Sequence, residues 1–237
     1  MSYETKAIVI SSKDSKDKDK EVLLYSLDFG KIYAKFKGVK NQKSKLKAGK
    51  EVFTFGDFFI EEGKVGSIVT GVNIIESFYD ISQNIDAYLE ACNIFDIVKS
   101  LPSGQSDPAM FVSIIKSLKA LNFEKTAKNV VFLKFLVDFF DNNGYKFNFE
   151  HCASCGARLT GKKFVNPSVG EIVCSSCKQL TYIEIDNAVM SVIKILKNTE
   201  YDNLSSVKFG DLVLSKVFSF LSANYEWRTG SQIKVYN

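Results

Sequence analysis

The chain has 237 residues, of which 46% are hydrophobic, with 20 Phe, only 3 Pro and a formal net charge of +4. That length and apolar content suit one large or two small domains with real cores and exclude a disordered chain. The sequence shows no apolar run of about 18 residues and no leader pattern at its start, which predicts a cytoplasmic protein with no membrane span.

From Tyr3 to Ile75 the apolar residues recur with a period of two, the pattern of strands. Ala7–Ile10 is the first. Lys13–Glu21 alternates four Lys with four acidic residues and reads as a solvated loop of no net charge. Glu21–Ser26 is the second strand, and Leu27-Asp28-Phe29-Gly30 turns into a third. Along Lys31–Lys37 the side chains alternate faces. Ile32, Ala34 and Phe36 form a core face, so Lys31, Tyr33, Lys35 and Lys37 are displayed outward. The basic character continues through a flexible loop, Gly38–Lys50, holding Lys40, Lys43, Lys45, Lys47 and Lys50. Lys31–Lys50 contains eight Lys and no acidic residue, so the rest of the chain is net negative. Val52–Glu61 and Ser67–Ile75 complete five strands, which fit a small closed barrel of the OB type.

After Asp80 the period changes to 3.6. Ile85, Tyr88, Leu89, Cys92 and Phe95 share one helical face, with Cys92 read as a core residue. Pro102–Asp107 ends that helix, and Asp107-Pro108 caps and begins the next, to about Leu121. Glu124–Asn142 reads as a strongly apolar helix ended by Asn143-Gly144. Asp186 caps a helix through Lys197. Asp211–Asn224 is a last helix, presenting Val213, Val217, Phe220 and Leu221.

Between these helices lie Cys152-x₂-Cys155, eighteen residues, and Cys174-x₂-Cys177. Two such turns each offer a pair of thiolates, and together they complete a tetrahedral four-sulfur site for one structural zinc ion. Four sulfurs leave no open position for a substrate. The expected fold is therefore α+β and multidomain: an OB barrel at 1–80, a helical domain at 81–150 and 183–237, and a zinc module inserted at 151–182.

The lysine-rich stretch is the best functional lead. Lysines that neutralise phosphates release counterions and bind a polyanion without sequence preference, and Tyr33 can stack on an unpaired base. Gly156–Lys163 imitates a phosphate-binding loop, but Lys163 stands where that motif needs a hydroxyl, and the run lies between metal ligands. Arg158, Lys162, Lys163 and Lys178 are better read as offsetting the charge of the thiolates. His151 is the single histidine. With no second histidine and no nucleophile motif, the chain is not expected to be an enzyme or to take a small-molecule substrate.

Phe29-Gly30-Lys31, leading to Lys37-Gly38-Val39-Lys40-Asn41-Gln42-Lys43-Ser44-Lys45-Leu46, resembles the barrel of the bacterial recombination mediators of the RecO family. Gly144-Tyr145, Cys152-x₂-Cys155-Gly156, Phe164, Gly170 and Cys174-x₂-Cys177 resemble that family's zinc module, in the same order along the chain. The resemblance implies DNA repair through the RecF-type pathway. It implies binding of single- and double-stranded DNA and annealing of complementary strands. It further implies action with RecR to help RecA displace single-strand-binding protein, whose acidic C-terminal tail docks on the helical domain. Lys31, Lys35, Lys37, Lys40 and Lys43 match the family's basic stretch, with Lys45 and Lys47 as neighbours. Relatives use arginine at some of these positions; this barrel has none, and lysine lacks bidentate geometry. The alternatives are another protein of OB barrel and zinc ribbon acting in transcription or on RNA, a zinc-bearing deacylase lacking its glycine fingerprint here, and a pure protein adaptor.

Overall fold

The computed structural model describes residues 1–15, 19–39, 46, 48–63, 66–166 and 169–234. Five strands, β1 (Ser2–Asp14), β2 (Lys20–Ser26), β3 (Gly30–Phe36), β4 (Phe55–Gly63) and β5 (Gly66–Glu76), form a closed barrel in the order β1-β2-β3-β5-β4. All neighbours are antiparallel except β3 and β5, which close the barrel in parallel through Ala34 opposite Ser67 and Lys35 opposite Ile68. The OB-type reading therefore holds.

The period-two residues fill the barrel: Ala7 and Val9, Val22 and Leu24, Ile32, Ala34 and Phe36, and Phe58 and Ile60 are all buried in one cluster. Val39, expected in a flexible basic loop, plugs the same cluster and is fully buried. Lys50 is likewise buried, paired with Glu51, so the basic run is not displayed along its whole length.

Some strand boundaries differ from expectation. The ends of Lys13–Glu21 are strand, Lys13 and Asp14 in β1 and Lys20 and Glu21 in β2, with Lys13 opposite Glu21 and Asp14 opposite Lys20. Opposite charges facing across a ladder support pairing in a sequence too polar to suggest it. The fourth strand begins at Phe55 rather than Val52, after a 3₁₀ turn at Ala48–Lys50 and a left-handed Phe53 at φ 73°.

The chain divides into two compact units, Met1–Tyr88 with Ile97–Asn122, and Leu89–Asp96 with Phe123–Asn237. Helices follow the barrel: α1 (Ile85–Ser100), α2 (Pro108–Phe123), α3 (Val130–Asn142), α4 (Asn187–Asn198) and α5 (Asp211–Thr229). Asp107 caps α2 as expected, its carboxylate accepting the Met110 N–H at 2.9 Å. The apolar stripe expected on α1 is displaced: Ile85 is 69% exposed and Tyr88 41%, whereas Glu90, Ala91, Asn93 and Ile94 are buried.

The cause is a polar contact. Glu90 accepts the backbone N–H groups of Asn129 at 2.6 Å and Phe132 at 3.0 Å, and so caps the N-terminus of α3. Asn129 is left-handed at φ 68°, which starts α3 six residues later than expected. Nearly every residue of α3 is buried, and α4 and α5 pack against it. Three short strands, β6 (Lys163–Val165), β7 (Ile172–Cys174) and β8 (Ile183–Ile185), form a sheet in the order β7-β6-β8. No helix among the described residues is long and apolar enough to cross a membrane.

Candidate functional site

On β3, burial alternates as the sequence requires: Gly30, Ile32, Ala34 and Phe36 point inward, Lys31 and Lys35 are half-buried, and Tyr33 is 64% exposed. Lys37 follows, exposed, in the next turn. Lys35 is ion-paired with Glu21 across the β2–β3 ladder at 3.0 Å, a solvent-exposed pair of small energetic weight. The Lys31 ammonium instead donates at 2.8 Å to the backbone carbonyl of Lys99, in the last turn of α1, where helix carbonyls lack intrahelical donors. Partial burial lowers the Lys31 pKa. Of the predicted basic residues, Lys40, Lys43, Lys45 and Lys47 lie outside the described residues.

Beside the basic face is a cleft of about 480 Å³, lined among others by Tyr3, Phe29, Lys31, Tyr33, Glu62 and Ser67. The turn before β3 sets Phe29 in place: the Ser26 hydroxyl accepts the backbone N–H groups of Asp28 and Phe29 at 3.2 and 3.0 Å. Gly30 then takes φ 65°, and a side chain there would also collide with the backbone carbonyl of Gln105. The Phe29 and Tyr3 rings lie 4.6 Å apart and tilted. Tyr3 donates to Glu62 at 3.0 Å, and Ser67 donates to the same carboxylate at 3.0 and 3.1 Å. Burial, with the hydrogen bond to and charge of Glu62, pushes the Tyr3 hydroxyl up to about 12.

Sequence reasoning named Lys31 and Tyr33 but missed Tyr3, Phe29, Glu62 and Ser67. Tyr3 meets Glu62 through the β1–β4 pairing and Ser67 faces Glu62 across the β4–β5 hairpin, but they come beside β3 only when β5 pairs with it, and no local spacing announces that register.

The four cysteines converge. Cys152 and Cys155 sit on a tight turn, in which the Cys152 N–H donates to Ala157 and the Gly156 N–H returns to the Cys152 carbonyl, at 2.8 and 2.9 Å. Gly156 provides the left-handed corner at φ 72°. Cys174 ends β7, and its N–H donates to the Cys152 sulfur at 3.4 Å. All four Sγ atoms lie within 4.8 Å of one another, and those of Cys155 and Cys174 are 3.9 Å apart. Tetrahedral bonds of about 2.3 Å to sulfur imply edges of about 3.8 Å, so the set fits one metal ion.

The protonation balance agrees. Burial would raise the Cys152 thiol, but the N–H groups of Cys155, Cys174 and Ser154 outweigh it and bring it down to about 6. The Ser154 hydroxyl favours the Cys177 thiolate, yet the sulfurs of Cys155 and Cys174 push it up to about 12. The crowded sulfurs oppose full ionisation, a conflict that a divalent cation removes.

The neighbouring cations have partners of their own. Lys162 pairs with Glu184 at 2.9 Å, Lys163 donates to the Gly161 carbonyl, and Lys178 lies over the Phe164 ring. His151 is exposed, bridged to Arg158. The imitation phosphate loop runs into β6 rather than a helix.

Comparison with known proteins covers nearly the whole chain. Residues 1–78 match the family model described as recombination protein O N terminal, and residues 82–236 match recombination protein O C terminal. The DNA repair protein RecO of Clostridium novyi is 27% identical over 99% of this chain and 93% of its own length. Its counterpart in Desulfitobacterium hafniense is 30% identical over 74% of this chain and 64% of its own, and that of Dehalococcoides mccartyi is 25% identical over 94% and 88%.

Proposed function

We propose a function from one premise: the chain belongs to the recombination protein O family. It acts in DNA repair as a DNA-binding mediator in the cytoplasm, not as an enzyme. It binds single- and double-stranded DNA, anneals complementary strands, and works with RecR to help RecA load where single-strand-binding protein coats the DNA. The tail of that protein docks on the helical domain. The observation that supports the reading best is β3, which turns apolar residues into a closed barrel and leaves Lys35, Tyr33 and the following Lys37 on the outside.

Annealing needs no reacting side chain. Two strands repel each other through their phosphates, and a lysine surface reduces that repulsion without occupying the base edges. Tyr33 contributes a stacking platform for an unpaired base. Lysine's lack of bidentate geometry suits a surface on which strands must still slide into register. In the second unit, Cys152, Cys155, Cys174 and Cys177 hold one zinc ion. The ion is structural, since four thiolates complete its coordination.

Replacing Lys35, Lys37, Lys40 and Lys43 together with Ala tests this. For single strands each lost phosphate contact lowers the slope of log affinity against log salt by about 0.7, so the quadruple variant should bind more weakly and with a slope smaller by about 2–3. An unchanged slope would remove the DNA interface from this surface.

A further inference from the structure

The cleft beside β3 is built for something other than phosphate. Its carboxylate, Glu62, is held by two hydroxyl donors, Tyr3 and Ser67. An ionised carboxylate has about four acceptor positions, and two hydroxyls do not use them all. A fixed negative charge there repels phosphate oxygens and favours N–H donors. Aromatic rings stand around it: Phe29 and Tyr33 are 44% and 64% exposed, whereas Phe36 and Phe58 of the same barrel are fully buried. Lys31 lines the cleft with its ammonium directed to the Lys99 carbonyl, so its hydrocarbon stem serves as wall. A flat aromatic ligand bearing an N–H donor satisfies both features, and the neighbouring lysine face supplies the contacts for its phosphate backbone.

We propose that the cleft holds one unpaired nucleobase of a single strand, packed against Tyr33 and the Tyr3–Phe29 pair, with Glu62 accepting a hydrogen bond from the exocyclic amino group of that base. This rests on the DNA-binding function proposed above and names what the surface selects. Cytosine presents an amino donor at position 4. Thymine presents a carbonyl oxygen there, which would meet the carboxylate lone pair to lone pair. The barrel thus discriminates weakly among sequences at one nucleotide, while the lysines bind the backbone uniformly.

The pair of oligonucleotides that isolates this effect is homopolymeric dC and dT of equal length. Both are weakly stacked pyrimidines, and they differ chiefly on the edge that Glu62 would read. Fluorescence anisotropy at low salt and mildly alkaline pH should show the full chain binding dC about fivefold more tightly than dT. Glu62→Gln, whose amide can donate to a thymine carbonyl, should bring that ratio to about one or below while leaving the salt slope unchanged. Tyr3→Phe keeps the ring but removes one hydroxyl from Glu62, and should lower the ratio part of the way. Tyr33→Ala should weaken binding to both strands by about tenfold through lost stacking. Equal affinity of the parent for dC and dT, or a preference that survives Glu62→Gln in a folded variant, would overturn the base pocket. Failure of the parent to bind either strand at low salt would overturn the DNA-binding reading itself.

Discussion

Glu90 shows how one side chain can set the course of the chain. It is 3% exposed, in the middle of α1, and accepts the Asn129 and Phe132 N–H groups at the start of α3. Those amides have no intrahelical acceptor, and a carboxylate beside them also favours the positive end of the helix dipole. Removing it leaves two buried donors unsatisfied. Glu90→Ala should therefore lower unfolding stability by about 1–3 kcal/mol, read as a shift of the urea midpoint with little change in slope. Glu90→Gln, which keeps one acceptor oxygen, should cost less. An Ala variant as stable as the parent would mean that water replaces the cap.

At the scale of elements, legibility depended on whether a segment's burial came from its own periodicity or from a distant partner. β3 was legible because alternation alone decides which residues face the barrel interior, and Ile32, Ala34 and Phe36 do. Asp107-Pro108 and Asp186 were legible because a cap acts within a single turn. The far end of the β1–β2 hairpin was not, since Lys13 and Asp14 acquire strand character from Glu21 and Lys20 across the ladder. The face of α1 was misplaced because Glu90 is buried by its contacts with the start of α3, which hydrophobicity does not report. At the candidate site, the cysteine spacing announced the four-sulfur cluster, whereas Glu62 and Ser67 come beside β3 only through barrel closure. The cap of α4 also carries a pH signature. Asp186 accepts from the Lys216 ammonium at 2.8 Å and from the Ala188 N–H at 2.9 Å, and the two hold its pKa below the ordinary carboxylate value. A lowered folded pKa means that the contribution is present above the unfolded value and is lost as pH falls through the folded one. Asp186→Asn keeps a capping oxygen without the charge, so the acid limb of the melting temperature should be shallower than in the parent. An identical acid limb would assign the loss of stability to other carboxylates.

For the whole molecule, the two compact units lead to different expectations for metal removal. The lysine face and the aromatic cleft belong to the unit of Met1–Tyr88 and Ile97–Asn122. The four cysteines belong to the other, in a segment whose strands β6, β7 and β8 have three residues each. Strands that short bury little, and a segment of about thirty residues rarely holds itself together without a crosslink. A metal held by the four cysteines would therefore contribute to folding there rather than to strand recognition in the barrel. Chelation should release one zinc ion per chain to a metallochromic dye and lower the melting temperature of the full-length protein. Below the new melting transition, binding to single-stranded oligonucleotide and its salt slope should remain those of the untreated chain, because the lysines proposed to set the slope are not in the unit that holds the four cysteines. Cys174→Ser should reproduce both results without chelator. Oligonucleotide binding lost on chelation, while the far-UV spectrum stays that of the folded chain, would place the cysteine centre in the DNA interface and contradict a purely structural role.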